Sequence, residues 1–425
     1  DIEAVMESRA IRARRGELLY QARKAIRRFW LPVSAAALVF AGLAAGVFVV
    51  NNERAKAERR FNEVRQLSNK LFDIDRQVRQ LPGGTKTRQL IVDTALDYLR
   101  RLASEAQDDP QLALDLGTAY MRVGRVQGVP ISPNLGQPEQ AEANLRIAER
   151  LILGVLHVEP ANRIAMLRAA QVAHDRMILA EYRRPQTEAL PLARQSEQWL
   201  QKYLAGGEIP REEADSVAIV GINIANWYQE EGLSDEAIRL LRQTAEVARG
   251  ANLPRQAGAA LIVMARTLRS TGDLQGALQA AKESVRLTEP PPTEVPVVAA
   301  QAHRVALIAE AEILGEDGAV NLGQPKEAEA ILTRTLDMSL QAVNLDPNDS
   351  GARLGLSISG LRLANLLRQH DPKRALDIYE RVLVNSAEIQ SDIRARRDEV
   401  RALTGIARIM IQSGRLAEAR LRLDE

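Results

Sequence analysis

The chain has 425 residues, enough for two or three domains, and aromatic residues make up only 4% of it. It has no cysteine, which excludes disulfides and thiolate metal sites. Its formal net charge is +2, and the part after Val50 holds 49 basic and 51 acidic residues, a net charge of −2. A nearly neutral protein of this kind is not expected to have nucleic acid as its main partner.

Residues 1–30 form a basic segment with eight Lys and Arg residues against four acids. The sequence begins without Met and in the rhythm of a helix, so we expect a piece of a longer protein. A basic amphipathic helix lying on anionic lipid is one interpretation of this segment.

The stretch 31–50, LPVSAAALVFAGLAAGVFVV, has no charged side chain. Twenty helical residues span roughly 30 Å, the thickness of the hydrocarbon core of a bilayer. Phe29 and Trp30 precede it, and aromatic rings favour the headgroup layer. A buried helix of a soluble protein is usually shorter than this stretch. The apolar part of a cleaved signal peptide would not be preceded by thirty residues. The sequence therefore predicts a single transmembrane helix, and six basic residues before it against five after it favour an inner N-terminus.

Small residues in this stretch suggest a dimer face. Gly42 and Gly46 form a G-x-x-x-G pair, and Leu38 and Val50 extend the same face at four-residue steps. Small residues let two helix backbones approach closely in lipid. The alternatives are a homodimer through this face and an accident of composition.

The sequence pattern of residues 51–106 predicts two membrane-proximal helices. The turn between them is Leu81-Pro82-Gly83-Gly84-Thr85. Apolar residues of the first helix recur at steps of three and four, which suits either an antiparallel hairpin or a dimeric coiled coil. They are Val64, Leu67, Leu71, Ile74, Val78 and Leu81.

From residue 111 onward the chain repeats. The pattern Ile224-Ala225-x-x-Tyr228-x-x-x-Gly232 is typical of the first helix of a tetratricopeptide repeat, in which the glycine ends the helix. Related patterns begin at Leu116, Met264, Leu363 and Ile406. Each second helix is predicted to carry a small residue at its start: Ala141, Ala189, Ala237, Ala277, Ala328, Ala375 and Ala419.

One nine-residue block occurs twice, as NLGQPEQAE over 134–142 and NLGQPKEAE over 321–329, which indicates an internal duplication. Prolines at 290–292 and 296 predict a stiff joint over 290–297. The repeats therefore divide into 107–289 and 298–425. The predicted fold is all-α, a single transmembrane helix followed by a tetratricopeptide-type α-solenoid.

Segments around the apolar stretch carry a family resemblance. They are Asp1-Ile2, 11–14, Tyr20, Lys24, 27–28, 61–65, 71–75, 81–85, 94–99, 119–120 and 124–128. Together they resemble tetratricopeptide-containing bacterial Ser/Thr protein kinases, with residues 1–30 as the end of the catalytic domain. The resemblance implies a cytoplasmic kinase domain, which would bind ATP and Mg, and an extracytoplasmic repeat domain on the bacterial inner membrane.

The chain itself shows no kinase motif and no metal-ligand spacing, so we expect no catalytic residue and no cofactor in it. His174-Asp175-Arg176 only resembles a scrambled catalytic motif within a helical run. Two functions remain: the membrane-anchored sensor region of a receptor-like kinase, or a stand-alone anchored scaffold. In either case we expect a protein or peptide partner in the concave groove. The register places Ile222, Asn226 and Gln229 there, and an ordinary solvated Asn is the alternative.

Overall fold

The structure is a computed structural model that describes residues 42–43, 45–49, 84–103, 109–131, 133–182, 188–290, 296–389 and 392–424. The helices from residue 84 onward are α1 Thr85–Ala103, α2 Pro110–Gln127, α3 Pro138–Val158, α4 Arg163–Tyr182, α5 Ala189–Leu204, α6 Arg211–Glu230, α7 Ser234–Gly250, α8 Pro254–Ser270, α9 Leu274–Thr288, α10 Pro296–Gly315, α11 Pro325–Leu345, α12 Ser350–Leu367, α13 Pro372–Ala387, α14 Ile393–Gln412 and α15 Leu416–Asp424.

In the described part of the chain, no helix is both long enough and apolar enough to cross a bilayer. A span needs about twenty consecutive apolar residues in one helix. The predicted transmembrane helix over 31–50, and the anchoring and inner-membrane location inferred from it, are therefore corrected. Within 31–50 the structure describes only 42–43 and 45–49, which are helical.

Several predictions near the N-terminus fall on residues that the structure does not describe. Leu38 and Val50 lie outside the described residues, so the proposed dimer face is represented only by Gly42 and Gly46, which have open space around them. Residues 1–30 and the helix over 51–81 also lie outside. The second helix of the expected hairpin is present as α1, with Leu96 and Leu99 buried.

The described residues fall into two compact units, 1–123 and 124–425. The second unit is an all-α helical repeat solenoid, as predicted for this part of the chain. Helices α2 to α15 form pairs, in which the even-numbered helices α2 to α14 are the first helices and the odd-numbered helices α3 to α15 are the second helices. From α4 onward each helix packs against the next, and each first helix also contacts the first helix of the following pair.

Small residues permit this close packing. The seven alanines predicted at the starts of the second helices are all buried: Ala141, Ala189, Ala237, Ala277, Ala328, Ala375 and Ala419. The first and second helices of three pairs are joined at Gly232, Gly272 and Gly414, which adopt positive φ. Gly124 differs from the prediction, because α2 continues to Gln127 and a Cβ at Gly124 would lie 3.1 Å from Leu145 Cγ. There the glycine serves helix packing and does not end the helix.

The hydrophobic core continues past the proline-rich segment. The segment's residues 291–295 are not described, but α9 packs directly on α10. Leu278 and Leu322 each contact the core clusters on both sides of it. The two groups of repeats therefore share one continuous core.

The duplicated block folds the same way twice. Asn134 Oδ1 accepts a hydrogen bond from Gly136 N at 2.9 Å, and Asn321 Oδ1 accepts one from Gly323 N at 2.7 Å. The two glycines have φ of 71° and 69°. Helix α3 and helix α11 follow, with 21 residues each. The sequence repeat is therefore a structural repeat with an offset of 187 residues.

We expect Gly136→Ala and Gly323→Ala each to lower the free energy of unfolding by about 1 kcal/mol, because a Cβ is disfavoured at positive φ although space is open around both residues. Asparagine tolerates this conformation, so Gly→Asn at either site should cost less. Urea denaturation measures these differences. A large loss at one loop with none at the other would show that the loops are not equivalent.

Candidate functional site on the first-helix face

The first helices present a recurring stripe of side chains, which we call the first-helix face. On α6 the stripe is Ile219, Ile222, Asn226 and Gln229, and on α12 it is Ile358, Leu361, Asn365 and Arg368. Both begin with an exposed isoleucine, 46% exposed at Ile219 and 39% at Ile358. The shared spacing places apolar and amide groups side by side, an arrangement suited to an extended polypeptide.

The predicted groove residues lie on this face of α6. Ile222 is half-buried against the core. Asn226 is half-buried and forms no hydrogen bond with any residue that the structure describes. Gln229 Oε1 accepts a hydrogen bond from Thr267 Oγ1 of α8 at 3.2 Å. The structure thus places the three residues on one face of α6, with the side-chain oxygen of Gln229 already hydrogen-bonded. Their role in binding stays a prediction.

A pocket of about 290 Å³ opens on the same face between α12 and α14. Its walls combine apolar side chains with guanidinium groups. The lining residues are Ile358, Leu361, Arg362, Asn365 and Arg368 from α12, and Asp398, Val400, Arg401, Thr404, Gly405 and Arg408 from α14.

A tyrosine behind the pocket fixes the amide of Asn365. Tyr379 is fully buried, and its hydroxyl donates to Asn365 Oδ1 at 2.5 Å. Burial raises the pKa of Tyr379 to about 12, so the phenol keeps its proton at neutral pH. The ring reaches this position because residue 405 is glycine, where a Cβ would overlap the ring. With its oxygen occupied, Asn365 has its Nδ2 left as a hydrogen-bond donor.

Ion pairs occupy the floor of the pocket. Arg362 pairs with Glu312 and Glu316, at 3.0 Å in each case, and Arg368 pairs with Asp317 at 2.6 Å. These acids belong to α10 and the turn after it. The guanidinium groups of Arg362 and Arg368 are thereby largely neutralised.

At the rim, positive charge is less compensated. Arg401 is 55% exposed and lies 3.4 Å from Asp398, while exposed Arg408 forms no ion pair with a described residue. Burial raises the pKa of Asp398, and Arg401 offsets this only in part. The positive charge of Arg408 beside Arg401 is thus left uncompensated, and the rim favours an anionic group.

A second polar cluster lies in the first half of the solenoid. Arg125 Nη2 donates to Asp175 Oδ1 at 3.2 Å, and His174 Nδ1 lies 2.9 Å from the same oxygen. Asn223 Nδ2 lies 3.0 Å from His174 Nε2. Burial alone would raise the pKa of Asp175, but Arg125 and His174 hold it below its usual range. Since His174 and Asp175 are at most 1% exposed, this cluster joins α2, α4 and α6 and offers no open site.

Sequence reasoning missed both the pocket and this cluster. Asn365 stands two residues after Leu363, just as Asn226 stands two residues after Ile224, so the repeat register could have indicated the pocket. His174-Asp175-Arg176 is not a catalytic motif, yet each of its side chains contacts another helix. No group of His, Cys, Asp and Glu suited to a metal ion occurs among the described residues.

Residues 216–289, from α6 through α9, match the tetratricopeptide repeat family. A comparison with curated proteins finds no match. Solved structures with a similar arrangement include a Rap protein complexed with competence and sporulation factor, at 12% identity, covering 85% of this chain and 96% of that one, with a TM-score of 0.40. The human IFIT1 dimer with m7Gppp-AAAA has 14% identity, coverage of 85% and 93%, and a TM-score of 0.29. Yeast Tom70 has 12% identity, coverage of 82% and 80%, and a TM-score of 0.23.

At these identities and TM-scores the similarity says nothing about a ligand for this chain. None of the matches named above is described as a protein kinase. The expected function as a membrane-anchored kinase sensor or anchored scaffold is therefore corrected to a repeat region of the tetratricopeptide type, which is a protein-interaction fold.

Proposed function

We propose that this repeat region binds a partner protein, and that an extended acidic segment of that partner lies along the first-helix face with one carboxylate in the pocket between α12 and α14. The observation that carries the proposal is the rim of that pocket, where Asn365 Nδ2 is held as a donor beside the exposed guanidinium groups of Arg401 and Arg408. A carboxylate accepts hydrogen bonds from both kinds of donor.

The pocket lining favours a polypeptide over a nucleic acid. Ile358, Leu361 and Val400 supply apolar walls for a neighbouring side chain. No aromatic residue lines the pocket, so a base would find no aromatic ring to stack on there. The near-neutral charge of the chain agrees with this choice.

The test uses a labelled octapeptide pool of random Glu and Leu order, compared with a pool in which Gln replaces every Glu. We expect Arg408→Glu to weaken binding of the acidic pool by about tenfold or more, because a charge-assisted hydrogen bond is worth about 1.5–3 kcal/mol. Asn365→Ala should weaken it less, and Asn226→Ala tests whether the segment reaches α6. Fluorescence anisotropy measures the affinities.

Arg381→Glu is the matched control, because it makes the same charge change at an exposed arginine of α13 outside the pocket. It should leave the affinity nearly unchanged. Equal binding of the acidic and amide pools, or equal losses in Arg408→Glu and Arg381→Glu, would contradict the proposed site.

A further inference from the structure

The offset of 187 residues between the two copies of the duplicated block also relates the helices on either side of them. Helix α3 begins at 138 and α11 at 325, and α4 begins at 163 and α12 at 350. Backbone hydrogen bonds fix the register of α2 and α10 as well. Leu135 N donates to Val126 O and Leu322 N donates to Ile313 O, at 2.9 Å in both cases. Residues 187 apart in the helix triplets α2–α4 and α10–α12, which we call the first and second three-helix units, are therefore structural equivalents.

At one pair of equivalent positions, the basic and the acidic residue have exchanged helices between the two units. In the first unit, Arg125 of α2 pairs with Asp175 of α4. In the second unit the same two positions hold Glu312 of α10 and Arg362 of α12, which pair at 3.0 Å. The acid is the more buried partner in both pairs, at 0% side-chain exposure for Asp175 and 9% for Glu312.

At a second pair of equivalent positions, an arginine and a glycine have exchanged helices between the two units. Arg304 of α10 is only 4% exposed and lies against α12, where a Cβ on Gly355 would be 3.2 Å from its Nη2. The equivalent positions of the first unit hold glycine at 117 and arginine at 168. At both pairs, then, the residue type on one helix has moved to the other helix.

We propose that these exchanges make the two duplicated units incompatible with each other, so that each first helix accepts only its own neighbour during folding. Cross-pairing of α2 with α12 would oppose Arg125 to Arg362, and cross-pairing of α10 with α4 would oppose Glu312 to Asp175. The second exchange would oppose two arginines, at 304 and 168. Like charges in close contact disfavour such pairings, most strongly at the buried acids Asp175 and Glu312.

The shared loop and the equal lengths of α3 and α11 explain why such a device is useful. Two units of the same fold in one chain can exchange helices within a molecule or between two copies, which gives swapped oligomers. Repulsion between like charges disfavours those swapped assemblies, while the ion pairs Arg125–Asp175 and Glu312–Arg362 of the correct fold remain attractive.

The test refolds full-length variants from urea and measures the ratio of oligomer to monomer by size exclusion with light scattering. Glu312→Arg with Arg362→Asp gives both units the same polarity, as does Arg125→Glu with Asp175→Arg. We expect either double variant to raise the ratio by roughly tenfold over the parent. All four changes together restore opposite polarities and should return the ratio toward that of the parent.

A gentler variant, Glu312→Gln with Arg362→Gln, introduces no new charge and removes the opposition of charge. It should raise the ratio to an intermediate value, and circular dichroism checks that each variant keeps its helices. A parent-like ratio in the neutral variant and in either folded double variant would overturn the proposal. So would a fourfold variant that forms as much oligomer as the double variants.

Discussion

Replacing Asp175 by Asn is expected to lower the free energy of unfolding by about 3 kcal/mol, because it removes one partner of a buried ion pair and leaves the other without compensation. Asp175 is fully buried and accepts hydrogen bonds from Arg125. Arg125 keeps 29% of its side chain exposed, which places the expected loss at the lower end of the range for such pairs. Urea denaturation followed by circular dichroism measures the change.

The effect should depend on pH with a definite sign. The pKa of Asp175 is lowered in the folded protein, so its contribution is fully present above the unfolded pKa of about 3.9. The contribution is lost as pH falls through the folded pKa, and the parent and Asp175→Asn should converge there. The control is Arg125→Gln with Asp175→Asn, which should cost less than Asp175→Asn alone. A double variant that is less stable than the single variant would contradict this account of the pair.

The repeat pattern was predictable because it is local. A small residue at the start of each second helix is needed wherever two helices approach closely, and those alanines stand in the sequence beside the signatures of the first helices. Their burial confirms the α-solenoid. Gly124 shows the limit of this reasoning, because glycine also serves close packing within a helix, as it does there against Leu145.

The polar contacts were not predictable in the same way, because they join residues far apart in sequence. Arg125 and Asp175 are separated by 50 positions, and no local pattern relates them. The duplicated block supplied an offset that would have aligned this pair with Glu312 and Arg362. The transmembrane prediction rested on the length and apolar composition of one stretch and on its flanking residues, and no described helix is long and apolar enough to cross a bilayer.

Gly405→Ala is expected to destabilise the protein by about 2 kcal/mol and to alter the pocket at the same time. A Cβ at this position would overlap the ring of Tyr379, which is fully buried, so the ring must shift. Shifting the ring would also weaken the hydrogen bond from its hydroxyl to Asn365 Oδ1. We therefore expect weaker binding of the acidic peptide pool together with the loss of stability.

Gly154→Ala is the matched control, because Gly154 lies within α3 with no other atoms close to the position of a Cβ. Alanine there should raise the free energy of unfolding by about 0.5–1 kcal/mol, since glycine is the poorer helix former. On a Tyr379→Leu background the ring is absent, so Gly405→Ala should cost much less than it does in the parent. The same cost on both backgrounds would show that the clash with Tyr379 is not the cause of the destabilisation.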